Sequence, residues 1–372
     1  MNLFLKKNAA RLAVLLVAGA MLRPGAAVGQ EIPSLKELFQ SDFAIGTALN
    51  TAQVDEKDPR TTAFIVRQFG VATPENSMKS GPIHPTWGTY NFGPADKLVE
   101  FGKKHGIGIN GHTLIWHSQL PAFVRGLRSR DSVRAFFTEH INTVARRYAG
   151  KVVSWDVVNE ALNEDGTLRK TVFLEYLGEE YVTEAFRLTQ QASPNAELYY
   201  NDYNNEQPAK RAGCLALLKK VQAAGVRIDG VGIQGHWHAG KVPFNDIEES
   251  IRQYAALGLK VMITELDLEV LPRNVQGADV NQRTAPDATG NPYANGLPEA
   301  VQQQLAADYE ALFRLFLKHR DKISRVTFWG VNDGQSWLNN WPVRGRTNHP
   351  LLFNRDNQPK PAFYKVVALK KK

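Results

Sequence analysis

Val261-Met-Ile-Thr-Glu265-Leu-Asp267 is a short apolar run that ends in carboxylates, and Ser154-Trp-Asp-Val-Val-Asn-Glu160 repeats the arrangement earlier in the chain. Both runs are rich in Val, Ile or aromatic residues and lack polar alternation, which marks strands buried in a parallel sheet. A charged side chain at the end of such a strand is costly to desolvate unless it is paired or has a chemical role. Working outward, candidate strands cover 43–49, 69–73, 107–114, 152–158, 197–201, 230–234, 260–264 and 325–329. Between them the apolar spacing becomes helical over 95–105, 131–149, 173–193, 207–224, 244–257 and 298–318. Eight strands alternating with helices predict an α/β fold, the (β/α)8 TIM barrel, as a single catalytic domain. A doubly wound sheet is the competing topology. It usually carries a Gly-rich first turn, and neither GxGxxG nor GxxxxGK[ST] occurs.

The 372 residues are 43% hydrophobic and 22% charged, an ordinary globular composition. Residues 1–29 read as a secretory signal peptide. Lys6, Lys7 and Arg11 precede an apolar stretch from Leu12 to Leu22, and Ala27, Val28 and Gly29 offer small residues for cleavage. The stretch is short for a membrane span, and an uncleaved anchor is the alternative. The catalytic domain then covers 30–372. The protein is expected to be secreted or periplasmic, free of the membrane after cleavage, and monomeric. Removing the segment takes four of the 45 basic residues and none of the 37 acidic ones, so 41 remain and the formal net charge falls from +8 to +4. Part of that is the terminal Lys370-Lys371-Lys372, read as a solvated tail, so the charge implies no nucleic-acid partner. Cys214, the single cysteine, lies in the apolar helical stretch Gly213-Cys-Leu-Ala-Leu217 and is expected in the core. An internal disulfide and a Cys-based metal site are both excluded.

In a barrel the active site lies at the C-terminal ends of the strands, and the polar residues gather there. Strand two leads into Glu75, Asn76 and Lys79; strand three into His112, Trp116, His117 and Gln119. Strand four ends in Asn159 and Glu160, and strand five in Asn201, Asp202, Tyr203 and Asn204. Strand six ends in Gln234 and His236, strand seven in Glu265 and Asp267, and strand eight in Trp329, with Asp333 and Trp337 beyond. Residues i and i+2 share a strand face, so Glu265 and Asp267 can both face the basin, as can Gln234 and His236. Asn159 and Glu160 are consecutive and cannot both do so within a regular strand. The strand is therefore expected to end at about Val158, with Glu160 on an exposed loop. Two such carboxylates among His, Asn, Gln and Trp suggest a pair that cleaves glycosidic bonds. His112 and His117 are five apart, and neither HExxH nor a GxSxG elbow is present. Neither a metal nor a cofactor is expected.

Trp155-Asp-Val-Val-Asn-Glu160, Gly258-Leu-Lys-Val-Met-Ile-Thr-Glu265-Leu-Asp-Leu268 and Gly111-His-Thr-Leu-Ile-Trp-His117 resemble glycoside hydrolase family 10, the retaining β-1,4-xylanases. The resemblance runs from about Phe43 to Phe363. It implies a xylan or xylo-oligosaccharide partner, Glu160 as general acid/base and Glu265 as nucleophile. In a retaining enzyme the carboxyls lie roughly 5–5.5 Å apart, so ionised Glu265 would raise the pKa of Glu160. By the same resemblance His236 hydrogen-bonds the nucleophile and Asp267 orients the imidazole. Asn159 and Gln234 match contacts to the sugar at the bond being cut and to the nucleophile. Lys79 and His112 match hydroxyl ligands in that subsite, and Glu75, Asn76 and Gln119 match the next one towards the non-reducing end. Trp116, Trp329 and Trp337 would wall the pocket, stacking on pyranose rings and excluding a hydroxymethyl group. Tyr203 and Asn204 match the aglycone side.

Plainer roles are expected for other residues. Trp155 shares parity with Val153 and Val157 and is placed inside the barrel; Asp156 is expected to pair with a buried Arg or Lys. His117 and His238 read as structural, and His84 and Trp87 as loop packing. The connection 271–297, rich in Asn, Gly, Pro and Gln, exceeds the roughly 12–15 residues of ordinary structureless loops. It is either a passive insertion or a substrate-contacting loop over the catalytic face. Ser80 departs from the family pattern, in which an aromatic often follows the lysine matching Lys79, and could open the distal sugar subsite. Two readings compete with a xylanase: the same chemistry on another β-linked glycan or on short oligosaccharides, and a sugar-binding protein on an inactive barrel.

Overall fold

Both carboxylate-tipped runs are strands in the wall of a closed barrel. The computed structural model describes residues 32–273, 275, 277–285 and 290–370. Nine strands occur among them: β1 (Ala44–Leu49), β2 (Val71–Pro74), β3 (Gly108–Trp116), β4 (Ser154–Asn159), β5 (Glu197–Tyr203), β6 (Gly230–Gln234), β7 (His236–His238), β8 (Lys260–Glu269) and β9 (Ile323–Phe328). All pairings are parallel. They run β1 to β6 in order, then β8, β9 and back to β1. The short β7 prolongs β6 beyond Gly235 and pairs with β8, setting His236 opposite Asp267. The described residues from Pro33 onward form one compact unit. The expected signal peptide, 1–29, lies outside the described residues.

The surrounding helices are α1 (Leu35–Leu38), α2 (Thr51–Val54), α3 (Pro59–Gln68), α4 (Ser80–Ile83), α5 (Gly93–His105), α6 (Arg130–Arg147), α7 (Val172–Leu177), α8 (Tyr181–Ala192), α9 (Pro208–Ala223), α10 (Phe244–Ala255), α11 (Glu299–Lys318) and α12 (Pro361–Ala368). Their ends follow local chemistry. On α6 the Ser129 hydroxyl accepts from the Ser132 amide, Asp131 sits in the first turn, and Arg146 and Arg147 complement the C-terminal end of the helix dipole. Its apolar face buries Val133, Phe136, Phe137, Ile141 and Val144 at helical spacing against the barrel. The expected single helix over 173–193 is two. Gly178 has φ of +79° and ends α7, a backbone state that glycine adopts without steric cost. The short helices α1 to α4 and the C-terminal α12 lack the long apolar periodicity used to find the others.

Several strands run further than their apolar runs suggested. β8 continues to Glu269 because each of its carboxylates has a partner: Glu265 and Asp267 on His236, and Glu269 on Arg346 and Asn348. Paired charges remove the penalty that made Thr264 look like the end.

Parity on β4 also differs from expectation. Ser154 and Asp156 face the barrel interior: the Ser154 hydroxyl meets Asn110 and Arg325, and Asp156 accepts from Asn110 and His112. Trp155 therefore points outward, fully buried, its ring 6.4 Å from Tyr148 at the end of α6. Val153, on the same face, is 47% exposed near the start of the strand. A core tryptophan was expected, but it fills the layer between sheet and helices, while the interior holds polar side chains. The partner of Asp156 is likewise His112 rather than a direct Arg or Lys contact. Cys214 is fully buried, as a core residue should be.

The Trp155 ring lies over Gly111. A Cβ there would sit 2.1 Å from Trp155 Cε3. Gly111→Ala is expected to destabilise the fold by about 1–3 kcal/mol through overpacking, measured as a lower urea midpoint with an unchanged m-value.

Candidate active site

β8 ends over the barrel mouth with Glu265 and Asp267 on one face, and β7 supplies the group between them. His236 donates from Nδ1 to Asp267 at 2.9 Å and from Nε2 to Glu265 at 3.1 Å. Burial disfavours a charged imidazole, but the carboxylates of Asp267 and Glu265 and their hydrogen bonds outweigh it and push the pKa up to about 10. Trp337 Nε1 donates to the other oxygen of Asp267 at 2.8 Å. Asp267 thus stands behind the cavity and orients the imidazole from there. Glu265 is 5% exposed, and burial alone would raise its pKa. The His236 hydrogen bond, the charges of His112 and His236, and a 2.8 Å bond from the Asn201 amide reverse that and hold it below the usual carboxylate range.

Glu160 follows β4 directly. The strand ends at Asn159, one residue later than expected, and Glu160 takes φ of +57°. That left-handed step solves the parity problem by turning two consecutive side chains into the same basin. It costs of order 1–3 kcal/mol for a residue that is not glycine. Glu160 is also 4% exposed, against the expected open loop. Burial is the main cause that raises its pKa, and the charge of Glu265 adds to it. The hydrogen bonds from Trp116 and Gln234 and the charge of Arg169 oppose the rise without cancelling it. The like-charge effect anticipated from the sequence is present, second to desolvation among the causes that raise the pKa.

Amides link the two carboxylates. Asn159 Nδ2 and Gln234 Nε2 donate to Glu160 Oε1 at 3.1 and 3.2 Å. Asn159 Oδ1 accepts from Asn201 Nδ2 at 2.9 Å, and the same Asn201 nitrogen serves Glu265. Thr264 fixes the Asn201 oxygen at 2.6 Å. Gly232 makes room for this side chain, since a Cβ there would lie 2.3 Å from Asn201 Oδ1.

The catalytic cavity is lined by Lys79, His112, Trp116, Asn159, Glu160, Gln234, His236, Glu265, Trp329 and Trp337, all anticipated from the sequence, and by Ala278 and Val280, which were not. Trp116 Nε1 donates to Glu160 Oε2 at 2.8 Å, and Lys79 Nζ lies 4.8 Å above its ring. Burial lowers the Lys79 pKa, against the pull of Glu265, Glu75 and Glu160. Trp329 packs edge-on against His112 and His236. The remaining predicted residues lie around the cavity. Asn76 accepts from Lys79, half-buried Glu75 has its pKa raised by burial, and the Gln119 carbonyl accepts from the Gly81 amide. Tyr203 is buried beside the cavity, its hydroxyl accepting from Arg169 and its ring 3.8 Å below Lys210 Nζ, while Asn204 donates to Glu164.

Asn201 was placed at the end of strand five but given no role, and Arg169 was missed. The parity of Asn201 with Tyr203 along strand five was a usable signal for the first. Nothing in the sequence marks Arg169, whose Nε donates to the backbone oxygen of Glu160 at 3.2 Å. The plainer expectations hold for His84, stacked among Tyr90, Phe136 and His140, and for His238, which bonds the carbonyls of Ala239 and Leu271. Trp87 packs on Phe123 yet remains 46% exposed. Ser80 is buried at the start of α4. A larger cavity of about 660 Å³ lies between α5 and α6, beside the Asp96–Arg147 ion pair. It contains neither carboxylate of the pair, and the chemistry belongs to the smaller cavity.

A family model described as glycosyl hydrolase family 10 matches residues 34–369. Endo-1,4-beta-xylanase A of Xylanibacter ruminicola is 40% identical over 358 residues, which cover 94% of this chain and 97% of that protein. Among solved structures, a GH10 endoxylanase from sugarcane soil metagenome aligns with a TM-score of 0.86 at 41% identity, over 91% of this chain and 100% of that one. A mutant solved in complex with xylotriose aligns at 0.80 and 36% identity, over 90% of this chain and 99% of its own.

The pair should titrate as one coupled unit. In carboxyl-labelled protein followed by 13C NMR, Glu265→Gln is expected to lower the Glu160 pKa by removing a like charge. Trp116→Phe is expected to raise it by removing a donor to the carboxylate. His236 carries a second expectation. Its folded pKa of about 10 lies above the ordinary 6.5, so its contribution to stability is whole below about pH 6.5 and is lost as pH rises through 10. His236→Asn should flatten that part of the wild-type stability profile, measured by urea midpoints between pH 6 and 10.

Proposed function

The chain belongs to glycosyl hydrolase family 10, and on that premise we propose that it is an endo-1,4-β-xylanase hydrolysing the xylan backbone by retaining double displacement. One observation carries the assignment of roles: two buried carboxyls, tied through Asn159, Gln234 and Asn201, have pKa values shifted in opposite directions. Glu265, held ionised by His236 and Asn201, is the nucleophile. Glu160, its pKa raised mainly by burial, is the acid. Its Oε1 accepts two amide hydrogens and its Oε2 one, from Trp116, so Oε2 is the less committed oxygen for the transferable proton.

In the first displacement a Glu265 oxygen bonds to the anomeric carbon, the glycosidic C–O bond breaks, and the Glu160 proton passes to the leaving oxygen. Esterified Glu265 has no charge, so the electrostatic part of the Glu160 shift disappears while the burial part remains. Glu160 then takes a proton from water, the resulting hydroxide attacks the anomeric carbon, and the ester to Glu265 breaks. Two inversions give net retention, and only water is consumed. Asp267 remains beside His236 throughout the cycle.

The walls of the cavity fit a flat pyranose. Trp329 and Trp337 line the cavity with aromatic surface suited to a pyranose, and Lys79, His112 and Gln234 offer polar contacts to hydroxyls. Glu75, Asn76 and Gln119 extend the site towards the non-reducing end, and Tyr203 and Asn204 lie on the reducing side. The basic and apolar N-terminal segment supports export to the periplasm or the medium, where a monomeric enzyme would meet its polysaccharide.

A proton NMR time course of the anomeric signals during hydrolysis tests the mechanism, with the β-anomer expected first. Initial release of the α-anomer would remove the nucleophile role from Glu265. Glu265→Ala should abolish turnover. Glu160→Ala should lose about 10²–10⁴-fold on substrates that need leaving-group protonation, and azide should restore its turnover of activated aryl glycosides. A wild type that binds xylo-oligosaccharide without cleaving it would identify a sugar-binding protein instead.

A further inference from the structure

The connection after β8 crosses the barrel mouth. Among its described residues, the backbone of Gly277 rests on the Tyr203 ring after β5, so close that a Cβ would lie 2.8 Å from Cε2. The Asp279 carboxylate stands 4.0 Å from Arg169 in the loop after β4. The Asn281 side chain accepts from the Ser118 hydroxyl after β3 at 3.3 Å. From the far side, Trp341 Nε1 donates to the Asp279 carbonyl, the Pro342 carbonyl accepts from the Thr284 amide, and Arg283 donates to the Asn340 carbonyl. The segment is thus held on both banks of the cleft.

Between these anchors Ala278 and Val280 enter the catalytic cavity, opposite Glu160 and Glu265. The volume left is about 30 Å³, room for only a few waters, whereas sites for organic ligands hold roughly 300 Å³ or more. A pyranose does not fit under the segment as it lies. A sugar chain running from Glu75, Asn76 and Gln119 past the carboxylates towards Tyr203 would pass beneath the strap at its middle.

We propose that residues 277–281 are a strap that must lift before substrate enters, latched by Asp279 on Arg169, and that it biases the enzyme towards short, undecorated β-1,4-xylo-oligosaccharides over polymer. The inference rests on the xylanase reading of the same cavity. A short oligosaccharide needs only a brief opening at the mouth. A polymer keeps the strap raised along a chain that leaves the site at both ends, and side-chain decorations collide with it. Arg169 makes the latch matter to the reaction, since it also holds the Glu160 carbonyl and the Tyr203 hydroxyl.

Two constructions test the strap. Ser118→Cys with Asn281→Cys puts thiols on two side chains that now hydrogen-bond, and buried Cys214 is shielded from exchange. The oxidised protein is expected to lose turnover of xylotetraose and xylan alike, and a reductant to restore it. Separately, Asp279→Asn should raise kcat/KM on arabinoxylan relative to xylotetraose by about two- to fivefold, the strength of a partly exposed ion pair. A cross-linked enzyme as active as its reduced form, or an unchanged polymer-to-oligosaccharide ratio in Asp279→Asn, overturns the proposal. These failures differ from failure of the xylanase reading, in which the wild type would cleave none of these substrates.

Discussion

The charge on His236, clamped between Glu265 and Asp267, is the interaction on which the site depends. A buried carboxylate is normally driven towards its neutral form. Here a buried imidazolium supplies the opposite charge, and Asp267 supplies the charge that keeps the imidazole protonated. The fold must therefore bring β7 beside β8 in one register, His236 opposite Asp267, and the break at Gly235 allows that strand to continue. Trp337 closes the arrangement by bonding the far oxygen of Asp267.

The second carboxyl needs the reverse environment within hydrogen-bonding reach of the same amides. Glu160 has neutral donors and no partner of opposite charge in direct contact, so burial governs it. Asn159, Gln234 and Asn201 separate the two behaviours: they satisfy both carboxyls without carrying charge between them. The left-handed turn at Glu160 is the backbone cost of placing this side chain next to Asn159 in the basin. The reactive pair is thus made of one residue fixed by charge and another fixed by desolvation.

Much of this was legible because strands and strand ends leave local marks. Uninterrupted apolar runs located the barrel wall, and period-two parity put Glu265 with Asp267 and Gln234 with His236. The same rule misplaced Trp155, because it shows which residues share a face without showing which face looks inward. The strand ends at Thr264 and Val158 were set too early for a related reason. A charge looks like a strand terminus until its partner is known, and the partners of Glu265, Asp267 and Glu269 lie on other segments of the chain.

By itself the sequence determined the barrel, the identity of the two carboxylates and most of the side chains around them, since these depend on composition and spacing along single strands. Tertiary structure alone decided that burial outweighs the neighbouring charge at Glu160, that Asn201 joins the two carboxyls, and that residues 277–281 reach across the mouth to Arg169 and Ser118. Each of these is a through-space relation between segments distant in the chain. Desolvation, charge and contact depend on separation in three dimensions, which no local pattern of residues encodes.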